Sequence, residues 1–158
     1  MTAPAVQYFF ETPLIAQTLP AFDVDAATAA ALALAERYSV DVSQPATPRF
    51  TWSAEVRLAT IAPGETERLV TSPGNFWVAA CCIDPGDGAG GLMIEDPRIA
   101  TVAAGVHGLD VIAGSPVTTV APATGEMTLF QAFVRHGVTN PGRLAQRWIL
   151  IALRPKPI

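Results

Sequence analysis

The residues able to carry chemistry are few, and their spacing differs from that of the common catalytic and metal-binding sets. Two cysteines stand side by side, Cys81 and Cys82, inside the apolar run FWVAACCI. A redox pair or a metal site would use them as thiolates. Adjacent residues of a strand point to opposite faces, however, so joining them would strain the backbone, and metal-binding cysteines are usually two to four residues apart. They read as two small buried hydrophobes. The loop DPGDGAGG (84–91) has the glycines of a phosphate cradle but no lysine, which a P-loop requires. Asp84 and Asp87 leave calcium as an alternative to a plain hairpin turn. His107 and His136 are the only histidines and share no HxH or HExxH spacing, so a cupin-like centre of several imidazoles and a carboxylate lacks ligands. No GxSxG elbow surrounds Ser43, Ser53, Ser72 or Ser115. Trp52, Trp77 and Trp148 offer a sugar-stacking platform, although Trp77 and Trp148 lie within apolar runs and read as core. The expectation is therefore no catalytic residue, no metal and no cofactor.

Composition narrows the partners. The chain has 158 residues, enough for one domain with a real core and no disulfide staples. Charged residues make up only 15% and apolar residues 50%, with a mean hydropathy of +0.33. Either the core is large or much of the surface meets something other than water. No apolar run approaches the roughly 20 residues that span a bilayer, and no signal-peptide pattern opens the chain, so neither a membrane nor secretion is expected. A net charge of −4 argues against direct nucleic-acid binding. Nine of the ten basic residues are Arg, the kind of cation enriched at protein interfaces, although a GC-rich genome gives the same bias.

The elements fall into two regions, 1–49 and 50–158. In the first, QYFFETPLIAQTLPAF carries Tyr8, Phe9, Phe10, Leu14, Ile15 and Phe22, broken by Pro13 and Pro20, and reads as an extended arm lying along an apolar surface. These six residues are the candidate interface, with a neighbouring subunit or a groove on the same domain as its counterpart. Asp23 or Asp25 can cap an Ala-rich helix over Asp25–Tyr38, and a Pro-bearing linker follows it. In the second region, short apolar runs alternate with Pro- and Gly-bearing turns. Strands are expected at 54–61, 67–71, 76–83, 91–95, 99–102, 109–112, 117–120, 127–135 and 144–153. This predicts a mainly β chain: an antiparallel β-sandwich or jelly-roll-like barrel with one N-terminal helix and an extended arm. FWVAACCI and RWILIAL are apolar on both faces, yet the helices that would cover a parallel sheet are missing after residue 50. Their second face must meet the arm, the helix or another subunit.

The segment LATIAPGETERLVTSPGNFWVAACCID, followed by FQAFVRHGVTNPGRLAQRWILIALRP, resembles tailed-bacteriophage virion proteins over about residues 58 to 84 and 129 to 154. The likeness lies in a strand, a Pro-Gly turn, a Thr-bearing strand and a long apolar closing strand. It implies a head, decoration, connector or tail component, assembled in a host cytoplasm and acting through contacts with copies of itself and other assembly proteins. The leading expectation is thus a non-enzymatic structural protein of a virion or similar assembly. The alternatives are a small-ligand or carbohydrate-binding sandwich and, after it, a β-barrel enzyme.

Overall fold

The computed structural model describes residues 5–9, 12–19, 23–39, 50–97 and 117–158. Its single described helix, α1 (Val24–Tyr38), begins where the Asp23 side chain accepts a 2.7 Å hydrogen bond from the Ala26 amide, so the cap falls on the first of the two candidate aspartates. Ala27, Ala31, Leu34 and Ala35 recur at the spacing of one helical face and are its buried residues. Three of the four are alanines, which lets the helix backbone approach the sheet closely.

Among the described residues, nine strands form two antiparallel sheets. The larger contains β1 (Ala5–Phe9), β2 (Thr12–Thr18), β3 (Phe50–Ile61), β4 (Trp77–Asp84), β7 (Glu126–Gln131) and β9 (Gln146–Pro157), in the order β1-β2-β7-β4-β9-β3. The smaller orders β6 (Val117–Val120), β5 (Gly91–Glu95) and β8 (His136–Thr139) as β6-β5-β8. After β4 the chain passes between sheets at 84–91, 120–126, 131–136 and 139–146, as a jelly-roll-like sandwich requires. The mainly β, antiparallel architecture expected from the alternating runs and turns is the one observed.

The doubly apolar strands now have both faces accounted for. Val78, Ala80 and Cys82 of β4 and Trp148 and Leu150 of β9 face the smaller sheet, packing with Leu92, Ile94, Phe130 and Val138. Trp77, Ala79 and Cys81 with Ile149, Ile151 and Leu153 face outward and are covered by α1. Trp77 Nε1 also donates a 2.7 Å hydrogen bond to Ser39 Oγ, tying the end of the helix to β4. The helix thus does for one face of an antiparallel sheet what crossover helices do for parallel ones.

Several sequence expectations shift. The N-terminal segment enters the larger sheet: β1 pairs with β2, and β2 pairs with β7 from Ile15↔Leu129 to Thr18↔Glu126. The strand expected over 67–71 is reduced to two isolated bridges, Thr66↔Thr139 and Val70↔His136. Between them the chain bulges over Gly137, where an added Cβ would lie 3.2 Å from the Glu67 carbonyl oxygen. The strand expected over 127–135 ends at Gln131, where a turn in which the Val134 amide bonds the Gln131 carbonyl carries the chain to β8 in the other sheet. That turn contains neither Pro nor Gly, so nothing in QAFVRH announces it. The strands expected at 99–102 and 109–112, the linker over 40–49 and His107 lie outside the described residues.

Candidate functional site

The inner faces of the sheets do not fill the whole sandwich. Where β3, β4 and β9 meet the 70–75 segment, a cavity of about 250 Å³ opens, walled by Val78, Leu150 and Ala152 and rimmed by Glu55, Arg57, Val70, Ser72, Asn75 and His136. At the opposite end, between Cys82, Leu92, Val120 and Trp148, the free space is about 10 Å³, room for no more than one water. Of these two spaces only the mouth has room for more than one water.

Arg57 and His136 at the mouth are each positioned by a neighbour. Arg57 lies two residues before Ala59, on the phase of β3 that turns inward. Both Nη atoms donate to Glu67 Oε1 at 3.1 Å, while Glu67 Oε2 accepts the Val138 amide at 3.1 Å, so this carboxylate is committed to holding the arginine and the segment. His136 and Val70 exchange backbone hydrogen bonds of 2.9 and 3.0 Å, which sets their side chains opposite one another. Ser72, two residues on, shares that face and also lines the cavity. Arg135 donates to both oxygens of Glu95 at 2.7 and 2.9 Å and to the Leu69 carbonyl at 3.3 Å, pinning the same segment from its far side.

His136 is buried. Its Nδ1 lies 2.9 Å from the Val134 carbonyl, and a carbonyl can only accept, so Nδ1 carries the proton and Nε2 the lone pair. Burial holds its pKa below the ordinary histidine value, opposed by the Val134 bond and the Glu67 charge. The ring packs edge-on against Phe130, centroids 4.9 Å apart. The imidazole is neutral at pH 7, with one nitrogen available as an acceptor.

The other sequence candidates are dispersed. Cys81 and Cys82 are free and buried on opposite faces of β4; burial pushes the Cys81 thiol up to about 11, and burial with the nearby Cys81 and Asp84 pushes Cys82 up to about 12. Asp84 accepts the Gly86 amide at 3.0 Å, and Asp87 accepts the Arg143 amide at 2.6 Å, which holds its carboxyl below the usual range. These carboxylates close turns and pin the 84–91 loop to the 141–145 turn, and the loop is a crossing between the two sheets where a hairpin turn was expected. Trp77 and Trp148 are core, and Trp52 is half-buried against Phe76 at 6.1 Å. Of the six candidate interface residues, Tyr8 and Phe9 lie on β1 opposite Pro13 and Thr12. Leu14 is buried in the inner cluster and Ile15 in the outer one. Phe10 and Phe22 lie outside the described residues.

Sequence reasoning missed the mouth. The one available signal was in AEVRLATI, where Glu55 and Arg57 occupy the phase that Ala59 and Ile61 continue into the core. A charge on the inward phase of a strand marks an opening in the core.

Two layers of antiparallel strands, one outer helix and a mouth between the layers define the class as a jelly-roll-like sandwich with an internal site. Comparison with protein-family models finds no match, and neither does comparison with curated proteins. Among solved structures, the chain is similar to a 2OG-Fe(II) oxygenase family oxidoreductase from Burkholderia pseudomallei, with TM-score 0.53, 11% identity, and coverage of 96% of this chain and 73% of that one. Weaker likenesses join it to a Pseudomonas putida prolyl-4-hydroxylase, at TM-score 0.45, 20% identity and 64% of this chain, and to AviO1 from Streptomyces viridochromogenes Tue57, at 0.43, 17% and 66%. The chain spans about half the length of these last two, 52% and 51%.

These findings correct the functional expectation. The Burkholderia pseudomallei neighbour is a 2OG-Fe(II) oxygenase family protein and not a virion component, so the resemblance to bacteriophage proteins, the non-enzymatic assembly role and the virion location built on it do not stand. The physical reason is that a Pro-Gly turn followed by doubly apolar strands encodes two-layer packing, which capsid sandwiches and oxygenase sandwiches share. At this level of identity the likeness establishes the fold.

The family of the Burkholderia pseudomallei oxidoreductase is an iron family, so the donor set at the mouth can be compared with what iron needs. An Fe(II) oxygenase site typically takes two imidazoles and a carboxylate on one face of a cavity. Among the described residues no three His, Cys, Asp or Glu side chains come together. His136 has Val70 and Ser72 beside it, and Glu67 is committed to Arg57 and Val138. The described residues do not fit the metal.

Proposed function

We propose that the mouth of the sandwich is the functional site and that it receives a small molecule with a carboxylate on an apolar body. The observation that carries this reading is the placement of Arg57. It stands on the inward phase of β3 at the rim of the cavity, held by Glu67 through its two Nη atoms, with its side chain 58% exposed. A guanidinium has five N–H donors in a rigid fork, so an arginine fixed by one carboxylate still offers donors to a second. Ser72 and Asn75 add short polar groups beside it, while Val70, Val78, Leu150 and Ala152 provide the apolar wall. The volume suits a ligand of few heavy atoms. The fold likeness supports the choice of first probe, since the 2OG for which the Burkholderia pseudomallei oxidoreductase's family is named is itself a dicarboxylate.

The test is titration calorimetry of the whole chain with 2-oxoglutarate, succinate and a series of short monocarboxylates, repeated on Arg57→Gln. At least one carboxylate binds, and the variant loses about tenfold or more in affinity, because a charge-assisted hydrogen bond contributes about 1.5–3 kcal/mol. Absence of binding across the series, or binding that ignores Arg57→Gln in a variant with unchanged circular dichroism, refutes the reading. A second reading, oxygenase turnover at the same mouth, is favoured by the backbone likeness over 96% of the chain. It needs iron ligands beyond those the described residues bring.

A further inference from the structure

We infer that the described residues at the mouth beside His136 do not make an iron centre, and that the ligand bound there is held by them without a bridging metal. The inference rests on the proposed binding site for its second half only. Its first half follows from strand geometry. Val70 and His136 form a pair joined by reciprocal backbone bonds, so their side chains stand next to each other on one face. Ser72 follows on the same face by the two-residue period of extended chain and reaches the same cavity. On the facing segment, an iron site built on His136 would meet these two positions. They offer an isopropyl group and an alcohol, neither of which is an imidazole or a carboxylate.

The nearby carboxylates do not repair the deficit. Glu67 is occupied by the Arg57 guanidinium and the Val138 amide, and Glu95 by Arg135. Glu55, on the opposite rim, would make at most a pair with His136. The imidazole itself is arranged as a metal ligand would be, with Nδ1–H held by the Val134 carbonyl and the lone pair on Nε2. Among the described residues the mouth therefore has one oriented imidazole and not the two further ligands that an iron site takes.

The experiment uses the full chain. Fe(II) under argon, and Co(II) as a redox-stable probe, are titrated by calorimetry and absorption, and 2-oxoglutarate and succinate are titrated with EDTA and with added Fe(II). The expected result is no stoichiometric metal uptake that depends on His136, and a carboxylate affinity that changes less than twofold between EDTA and Fe(II). Val70→His combined with Ser72→Asp, which places an imidazole and a carboxylate beside His136, is expected to gain stoichiometric Co(II) binding with ligand-field absorption, and to lose it again when His136→Ala is added. Stoichiometric Fe(II) uptake by the unmodified chain that His136→Ala abolishes, or carboxylate affinity that rises tenfold with Fe(II), overturns the inference. Metal uptake that survives His136→Ala lies elsewhere and supports it. If no carboxylate binds with or without metal, the ligand reading fails, while the metal titration still decides whether the mouth is an iron centre.

Discussion

Two glycines in one loop separate a structural turn from a tolerant one. In 84–91, Gly88 has φ +79 with nothing within 4 Å of an added Cβ, whereas Gly91 has φ +131 and an added Cβ would overlap the Val120 carbonyl oxygen and lie 3.0 Å from Pro122 Cδ. Gly88→Ala therefore costs only the left-handed backbone penalty, about 1–2 kcal/mol. Gly91→Ala carries backbone strain of about 1–3 kcal/mol in a region that L-residues avoid. It must also push the Val120 backbone away by about 1 Å to reach ordinary contact. That movement opens the Leu92↔Val120 end of the β5–β6 ladder and adds about 1 kcal/mol for each hydrogen bond lost. With two such bonds lost the sum is about 3–5 kcal/mol, or roughly 6–20 °C in melting temperature at this chain length. Urea unfolding followed by the fluorescence of the buried Trp77 and Trp148 measures both variants against the unmodified chain. The reasoning is refuted if Gly91→Ala lies within about 0.5 kcal/mol of Gly88→Ala, a gap comparable to the extrapolation error of such measurements.

His136 is expected to make stability pH-dependent. Its folded pKa is lowered, so the unfolded chain binds the proton more readily and stability falls as pH drops through the unfolded value near 6.5. Melting temperatures at pH 7.5 and 5.5 show this fall, and in His136→Phe the difference between the two pH values shrinks; an unchanged difference contradicts the assignment. Cys81 and Cys82, with thiols pushed up to about 11 and about 12 inside the core, resist disulfide reagents at pH 8 in the native state and react after unfolding. Rapid native labelling of either one counts against their burial.

Some of these features are legible in the residues themselves. β4 and β9 announce themselves as doubly apolar runs closed by turn residues, and the buried, unpaired state of Cys81 and Cys82 follows from their adjacency on a strand. The helix is legible too, because its acidic cap and alanine spacing are local. The crossing at 131–136 is not, because a turn held by the Val134–Gln131 bond and by neighbours in two sheets needs neither Pro nor Gly. Neither is the covering of the outer face: the sequence demands a partner for Ile149, Ile151 and Leu153 but does not say that α1 supplies it.

The site divides in the same way. Residue types and short-range periodicity determined by themselves that the chain is two-layered and antiparallel, since those properties depend on alternation and turn composition alone. Only the tertiary structure brought Arg57 to Glu67, ten residues on and in no strand, and set Val70 against His136 across the chain. Those meetings depend on sheet order and on a bulge over Gly137, which are set by packing summed over the whole chain and leave no mark in any local stretch. The same limit explains the mistaken bacteriophage resemblance: alternation specifies that two sheets pack, while the groups left facing the gap between them specify what the protein can do there.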